Sequence, residues 1–146
     1  MKTSFAKQRV RSLAIPVLMM AVLALSACST GASGTNASVR FVDLKDGAAV
    51  SSPLTVKMAA DNFTVEPAGE VKDGHGHLHI VVDADCIAAG QVVPKDEQHL
   101  HYGQGQVEAT LDLAPGPHTL CLQAADGAHI ALPGDGLTKK IGITVQ

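Results

Sequence analysis

Between Val39 and Val145 the apolar residues recur at alternate positions, in short runs broken by Gly, Pro and Asp. Alternation sends successive side chains to opposite faces of an extended backbone, so each run reads as a half-buried β-strand. The run His75–Asp83 is the clearest: Leu78, Ile80 and Val82 share one face, and His75, His77, His79, Val81 and Asp83 share the other. Further strands are expected at 39–44, 54–60, 107–113, 118–124 and 140–145, with a short edge piece at 63–65. Lys45-Asp46-Gly47, Glu66-Pro67-Ala68-Gly69 and Pro115-Gly116-Pro117 supply turns between them. Helical periodicity is absent. About seven short strands separated by turns predict a single immunoglobulin-like antiparallel β-sandwich, with a Greek-key barrel as the alternative. In such a sandwich the strands at 75–83 and 118–124 are neighbours. Past residue 27 the aromatic residues are only Phe41, Phe63 and Tyr102, so aliphatic side chains must fill the core.

The first residues break the pattern. Lys2, Lys7, Arg9 and Arg11 precede an apolar run, Leu13 to Ala27, that is too short to span a bilayer comfortably. It closes on Leu25-Ser26-Ala27-Cys28, which resembles a bacterial lipobox. The resemblance implies a lipoprotein signal peptide at 1–27, cleavage before Cys28, and acyl chains on Cys28 that anchor the protein to a membrane. Residues 29–38 read STGASGTNAS, a flexible tether. Residues 39–146 then form one domain, exported to the bacterial cell envelope: the periplasmic face, or the outer membrane where the organism has one.

Cleavage also changes the charge. The chain carries 11 basic and 14 acidic residues, and four of the basic ones lie in the signal. Seven against fourteen remain, a net charge of −7 with neutral histidines. That balance excludes nucleic acid and an anionic lipid surface as partners. It leaves the membrane reached through Cys28, a metal cation, and a protein partner in the envelope.

Histidine is the one chemically active residue that is concentrated. The seven histidines lie between His75 and His129, five of them in His75-Gly-His77-Leu-His79 and His99-Leu-His101. On a strand, alternate residues stand about 6.5–7 Å apart on one face. Two imidazoles at that spacing can close on one metal, with metal–nitrogen bonds of about 2.0–2.1 Å. If the segment after 75–83 folds back along it, His77, His79, His99 and His101 face each other as ligands. His75 is a candidate fifth ligand. His129 lies just past the strand at 118–124 and can approach His75 or His77. His118 shares parity with Leu120 and Leu122 and is expected to be a buried, hydrogen-bonded structural residue. Asp73, Asp83, Asp96 and Glu97 are candidate acceptors behind the ligands. Imidazole donors suit copper(II) or zinc; Met58, the only methionine past the signal, argues against a methionine-rich copper(I) carrier. Imidazoles with an ordinary pKa near 6.5 would lose metal between roughly pH 7 and 5.

Cys86 and Cys121 are the two cysteines left after Cys28. An even pair in an exported chain is expected to form a disulfide, worth about 3–4 kcal/mol by loop closure; a free thiol serving as a ligand is the alternative. The sequence holds no G-x-S-x-G and no convincing nucleophile–base pair, so catalysis is not the first expectation.

The stretches GHLHIVVD at 76–83, HLHYGQGQVEATLDL at 99–113 and PGPHTLCLQAADGAHIAL at 115–132 resemble a family of uncharacterised bacterial exported domains, a domain of unknown function. Its motifs read approximately GHHHLLID, HLHFGxGQTEA and PGxHTLxLxxxDxxH. Carried over by position, the family histidines are His77, His79, His99, His101, His118 and His129. Leu78 stands where a middle histidine is common, and His75 is additional. A fainter likeness is to copper/zinc superoxide dismutase, a β-sandwich with a His-x-His strand, whose other motifs are not recognisable here. Three functions follow as expectations. The first is an envelope lipoprotein that buffers, delivers or senses copper or zinc. The second is a non-catalytic immunoglobulin-like interaction module. The third is a small, superoxide-related metalloenzyme.

Overall fold

A computed structural model describes residues 36–146. The signal segment 1–27, Cys28 and the tether to residue 35 lie outside the described residues. The strands are β1 (Ser38–Val42), β2 (Ala48–Val50), β3 (Leu54–Asp61), β4 (Thr64–Val65), β5 (His75–Val82), β6 (His99–Tyr102), β7 (Glu108–Leu111), β8 (Gly116–Ala125) and β9 (Thr138–Val145). A single 3-10 turn, Asp135–Leu137, precedes β9.

Two sheets face each other. The smaller has the order β1-β3-β7; the larger runs β2-β9-β8-β5-β4, with β6 also pairing β5. The inner faces carry the alternating apolar residues of the sequence. Val39, Phe41, Val56, Met58, Ala109 and Leu111 come from the small sheet, and Leu78, Ile80, Leu120, Leu122, Ile141 and Ile143 from the large one. Their burial against each other is the main stabilising contact of the molecule. The fold is an immunoglobulin-like β-sandwich, and β5 and β8 are antiparallel neighbours. Two details differ from the expected all-antiparallel, seven-strand arrangement. β2 and β6 are extra strands, and β2–β9 and β4–β5 pair in parallel. Both parallel pairings are only two or three residues long and sit at sheet edges, where a connecting loop can return a short strand in either sense.

The second face of the large sheet is not left to water. β5 is buried at every position except its ends. The connection 83–98 between β5 and β6 crosses that face, together with the β8–β9 connection from Asp126. The two are laced to each other: Val93 N donates to His129 O, Ala131 N to Gln91 O, and Gly90 N to Ala131 O. The cover is fastened to β8 twice. Cys86 and Cys121 form a disulfide. Gln123 donates from Nε2 to Ile87 O and accepts from Ile87 N at Oε1. Beneath lies a small apolar cluster of Val93, Ala125 and Ala131, with Ile87 packed on it.

Candidate metal centre

Register decides which histidines meet. β6 folds back along β5 with His101 opposite His79 and His99 opposite Val81. The two His-x-His pairs are therefore staggered by two residues, and only His79 and His101 face each other. His77 is left without a β6 histidine across from it, and His129 occupies that side instead. Asp126 Oδ1 accepts from Ala128 N and Ile130 N, folding the end of β8 into a tight turn. His129 sits in this turn in the left-handed region, φ 66°. Histidine is among the few non-glycine residues that adopt it, and such residues gather at functional sites.

The result is a quartet. Ring centroids of His77 lie 4.8 Å from His79, 5.0 Å from His101 and 4.7 Å from His129. His101 and His129 are 4.7 Å apart, His79 and His101 5.1 Å, and His79 and His129 6.0 Å. The Nε2 atoms pair at 3.0 Å, His79 with His77 and His129 with His101. One nitrogen of each pair donates its hydrogen to the lone pair of the other. Ligand nitrogens of His77, His101 and His129 all lie within 4.8 Å of one another. In a tetrahedral site with bonds of about 2.0 Å, nitrogens stand about 3.3 Å apart. Two contacts are already at that scale; His79 stands outside the group of three and joins it through its Nε2 contact with His77. His77 and His79 are inaccessible to solvent, whereas His101 and His129 are part-buried, so the quartet opens on one side.

The environment favours the neutral, ligand form of three of the imidazoles, His77, His79 and His101. Burial first, then the neighbouring His129 and His101, push the His77 imidazole down to about 4. Burial and the surrounding histidines push His79 to about 3. Burial, His129 and Lys95 lower His101 as well. Nδ1 of His77 and of His79 is buried with no hydrogen-bond partner. In the neutral pair one Nδ1 is an unmet donor and the other an unmet acceptor, and leaving such buried atoms unpaired costs of order 1–3 kcal/mol each. A core selected only for stability would use apolar residues there.

Glycine at 103 makes room for the quartet. One step past the last β5–β6 pair it would stand opposite His77, and a Cβ there would overlap the imidazole of His101. Gly103 and Asp126 both stand in the motifs HLHFGxGQTEA and PGxHTLxLxxxDxxH, where neither is assigned a role. The signal for Gly103 is its position two residues after His101 in an alternating His-x-His-x-Gly run.

The other sequence candidates lie elsewhere. His99 is turned to Asp96, Nδ1 to Oδ1 2.7 Å, because the stagger carries it one pleat past the quartet. His75 bonds Glu66 through Nδ1 at 3.1 Å and takes no part in the quartet's ring contacts, since it lies at the open start of β5. His118 bonds Asp83 through Nδ1 and Ala114 O through Nε2, and both contacts raise its pKa. Both acceptors require an N–H, so His118 satisfies them together only as imidazolium. Asp83 and Asp96 thus serve His118 and His99 rather than the quartet. The carboxylate that acts on His77 is Asp126. Cys86 and Cys121, being bonded to each other, offer no thiolate.

Comparison with known proteins places the chain by sequence. The profile described as Domain of unknown function (DUF4399) matches residues 56–146, a span that includes all seven histidines and both Cys86 and Cys121. The chain belongs to that family. No curated protein matches it. Among solved structures it is similar to the fibronectin(III)-like modules of Clostridium thermocellum CbhA, at 15% identity and a TM-score of 0.43. The match covers 77% of this chain and 47% of that one, so the chain spans less than half of that structure.

Proposed function

We propose that this protein is an envelope-anchored lipoprotein that binds one copper(II) or zinc ion through His77, His79, His101 and His129. It would buffer, deliver or sense that metal. The observation that carries the reading is the convergence of four imidazoles from three separate segments onto one mostly buried point. An all-nitrogen donor set suits copper(II) and zinc. Sulfur is not on offer: Met58 faces the sandwich core, and the thiols of Cys86 and Cys121 are spent in their bond. The part-exposed edges of His101 and His129 give an ion a route in and out. Membrane anchoring rests on the Leu25-Ser26-Ala27-Cys28 sequence.

The test is titration of the mature chain, purified without a histidine tag and stripped of metal, with zinc and with copper(II). A single tight equivalent is expected, lost when His77→Ala and His101→Ala are combined. Absence of tight binding would leave a second reading, an interaction module with a structural imidazole layer. That reading is supported by the two 3.0 Å pairs, which satisfy Nε2 without an ion.

A further inference from the structure

We infer that the Cys86–Cys121 disulfide is a redox latch on the imidazole quartet: closed, it holds His129 in the site, and its reduction releases the cover and speeds metal exchange. The inference rests on the metal-binding reading above and adds regulation to it.

The placement of the bond carries the argument. It does not tie the two sheets of the sandwich together. Cys121 lies on the outer face of β8, away from the main core, opposite Val81. Two residues along the same face, Gln123 lies directly opposite His79 and holds Ile87, the residue next to Cys86. From Cys86 the covering segment runs to Gly90, Gln91 and Val93, which bond Ala131 and the His129 carbonyl. The chain of contacts therefore runs from the disulfide, through the cover, to the backbone that presents His129. Besides the bond, Gln123 and these backbone contacts, an ion pair on the surface, Lys140 Nζ to Asp85 Oδ1 at 2.6 Å, ties the cover to β9. The apolar cluster beneath it has three buried residues, two of them alanine. The sandwich core, by contrast, lies wholly between the two sheets and does not involve the bond.

Cys86 is part-exposed and Cys121 is buried, so an incoming thiolate reaches the Cys86 sulfur. A dithiol reductant supplies the chemistry. Its first thiolate attacks Cys86 Sγ, breaking the S–S bond and expelling Cys121 as thiolate. Its second thiolate then displaces Cys86. The reductant leaves as a disulfide, having given two electrons, and its two protons end on Cys86 and Cys121.

Zinc is the probe, because thiols reduce copper(II). The mature chain is loaded with zinc, and metal loss to excess chelator is timed in three forms. These are the oxidised protein, protein reduced by a phosphine that is then removed, and the Cys86→Ser/Cys121→Ser variant. The serine variant separates loss of the bond from gain of thiolate ligands. Val56→Ala, in the small sheet, reports general loosening. The expected result is dissociation at least tenfold faster without the bond and unchanged in Val56→Ala. In metal-free protein, amide shifts on reduction should be confined to 84–98, 126–132 and the immediate neighbours of Cys121 on β8 and β5. Equal dissociation rates would overturn the latch and leave metal binding standing. Amide shifts spread through both sheets, or loss of the sandwich, would also overturn it, because the bond would then hold the fold. If the oxidised protein binds no zinc, the metal reading itself fails.

Discussion

Leu78 and Ile80 on one face of β5, and His77 and His79 on the other, are all fully closed to solvent, but by different means. The inner pair is covered by a second sheet and packs among fifteen buried apolar residues. The outer pair is covered by two loops, one disulfide, one glutamine side chain and a three-residue apolar cluster. The inner face supplies stability. The outer face gives some of it up, since it buries imidazoles whose Nδ1 atoms have no partner. A strand with one face for folding and one for chemistry lets the site change without rebuilding the core.

Substitutions at adjacent positions should separate the two faces most sharply. Ile80→Ala opens a cavity between the sheets and should cost about 2–5 kcal/mol. The thermal midpoint should fall by on the order of 10 °C or more, with metal stoichiometry kept below the transition. His79→Leu should do the reverse: stability within about 1 kcal/mol of the parent, because an apolar side chain suits the site, and zinc affinity down by roughly a hundredfold. Denaturant unfolding and metal competition on the two variants check the contrast.

Acid should attack the outer face first, before the carboxylates titrate. The folded pKa values of His77 and His79, about 4 and about 3, lie below the unfolded value of 6.5. The unfolded chain therefore binds more protons. The stability that depends on their neutrality is complete above about pH 6.5 and lost as pH falls toward 4. Near pH 5 the unfolded chain takes up protons at both positions while the folded chain largely does not, so stability falls as pH falls. Unfolding of the metal-free protein across pH 7 to 4 measures it, and His77→Leu/His79→Leu should flatten it. Burial thus lowers the pH at which protons occupy His77 and His79 below the ordinary imidazole range.

Much of this contrast was legible in the sequence, and its limits have physical reasons. Alternation located β5 and assigned its two faces, because period two is a property of the backbone. It could not tell whether the second face met water or a cover, since residues 84–98 carry no periodicity of their own. The spacing of His99 and His101 marked a metal-like pair, but spacing within a segment does not set register between segments. The two-residue stagger that excludes His99 and admits His129 is a tertiary fact, fixed by pairing along Leu78–Val81 and by the turn at Asp126. Short edge strands such as β2 escaped because three residues are too few to show a period.

Smaller effects test the edges of the site. Gly103→Ala should push the His101 ring aside and weaken zinc binding about tenfold, roughly 1.4 kcal/mol, with little change in unfolding. Asp83→Asn removes the partner of His118 on the opposite, core-facing parity of β8. Folded His118 has a raised pKa, so its contribution is present below its unfolded value and lost as pH rises through the folded one. About 0.2–1 kcal/mol should disappear at low pH, and metal affinity should not move.

The central claim is that His77, His79, His101 and His129 hold one ion together. X-ray absorption on the zinc-loaded mature chain addresses it directly. The account predicts a shell of four nitrogens at about 2.0 Å with the outer-shell pattern of imidazole and no sulfur, abolished by His77→Ala/His101→Ala. An oxygen-dominated or sulfur-containing shell, or a spectrum unchanged in that variant, would contradict it.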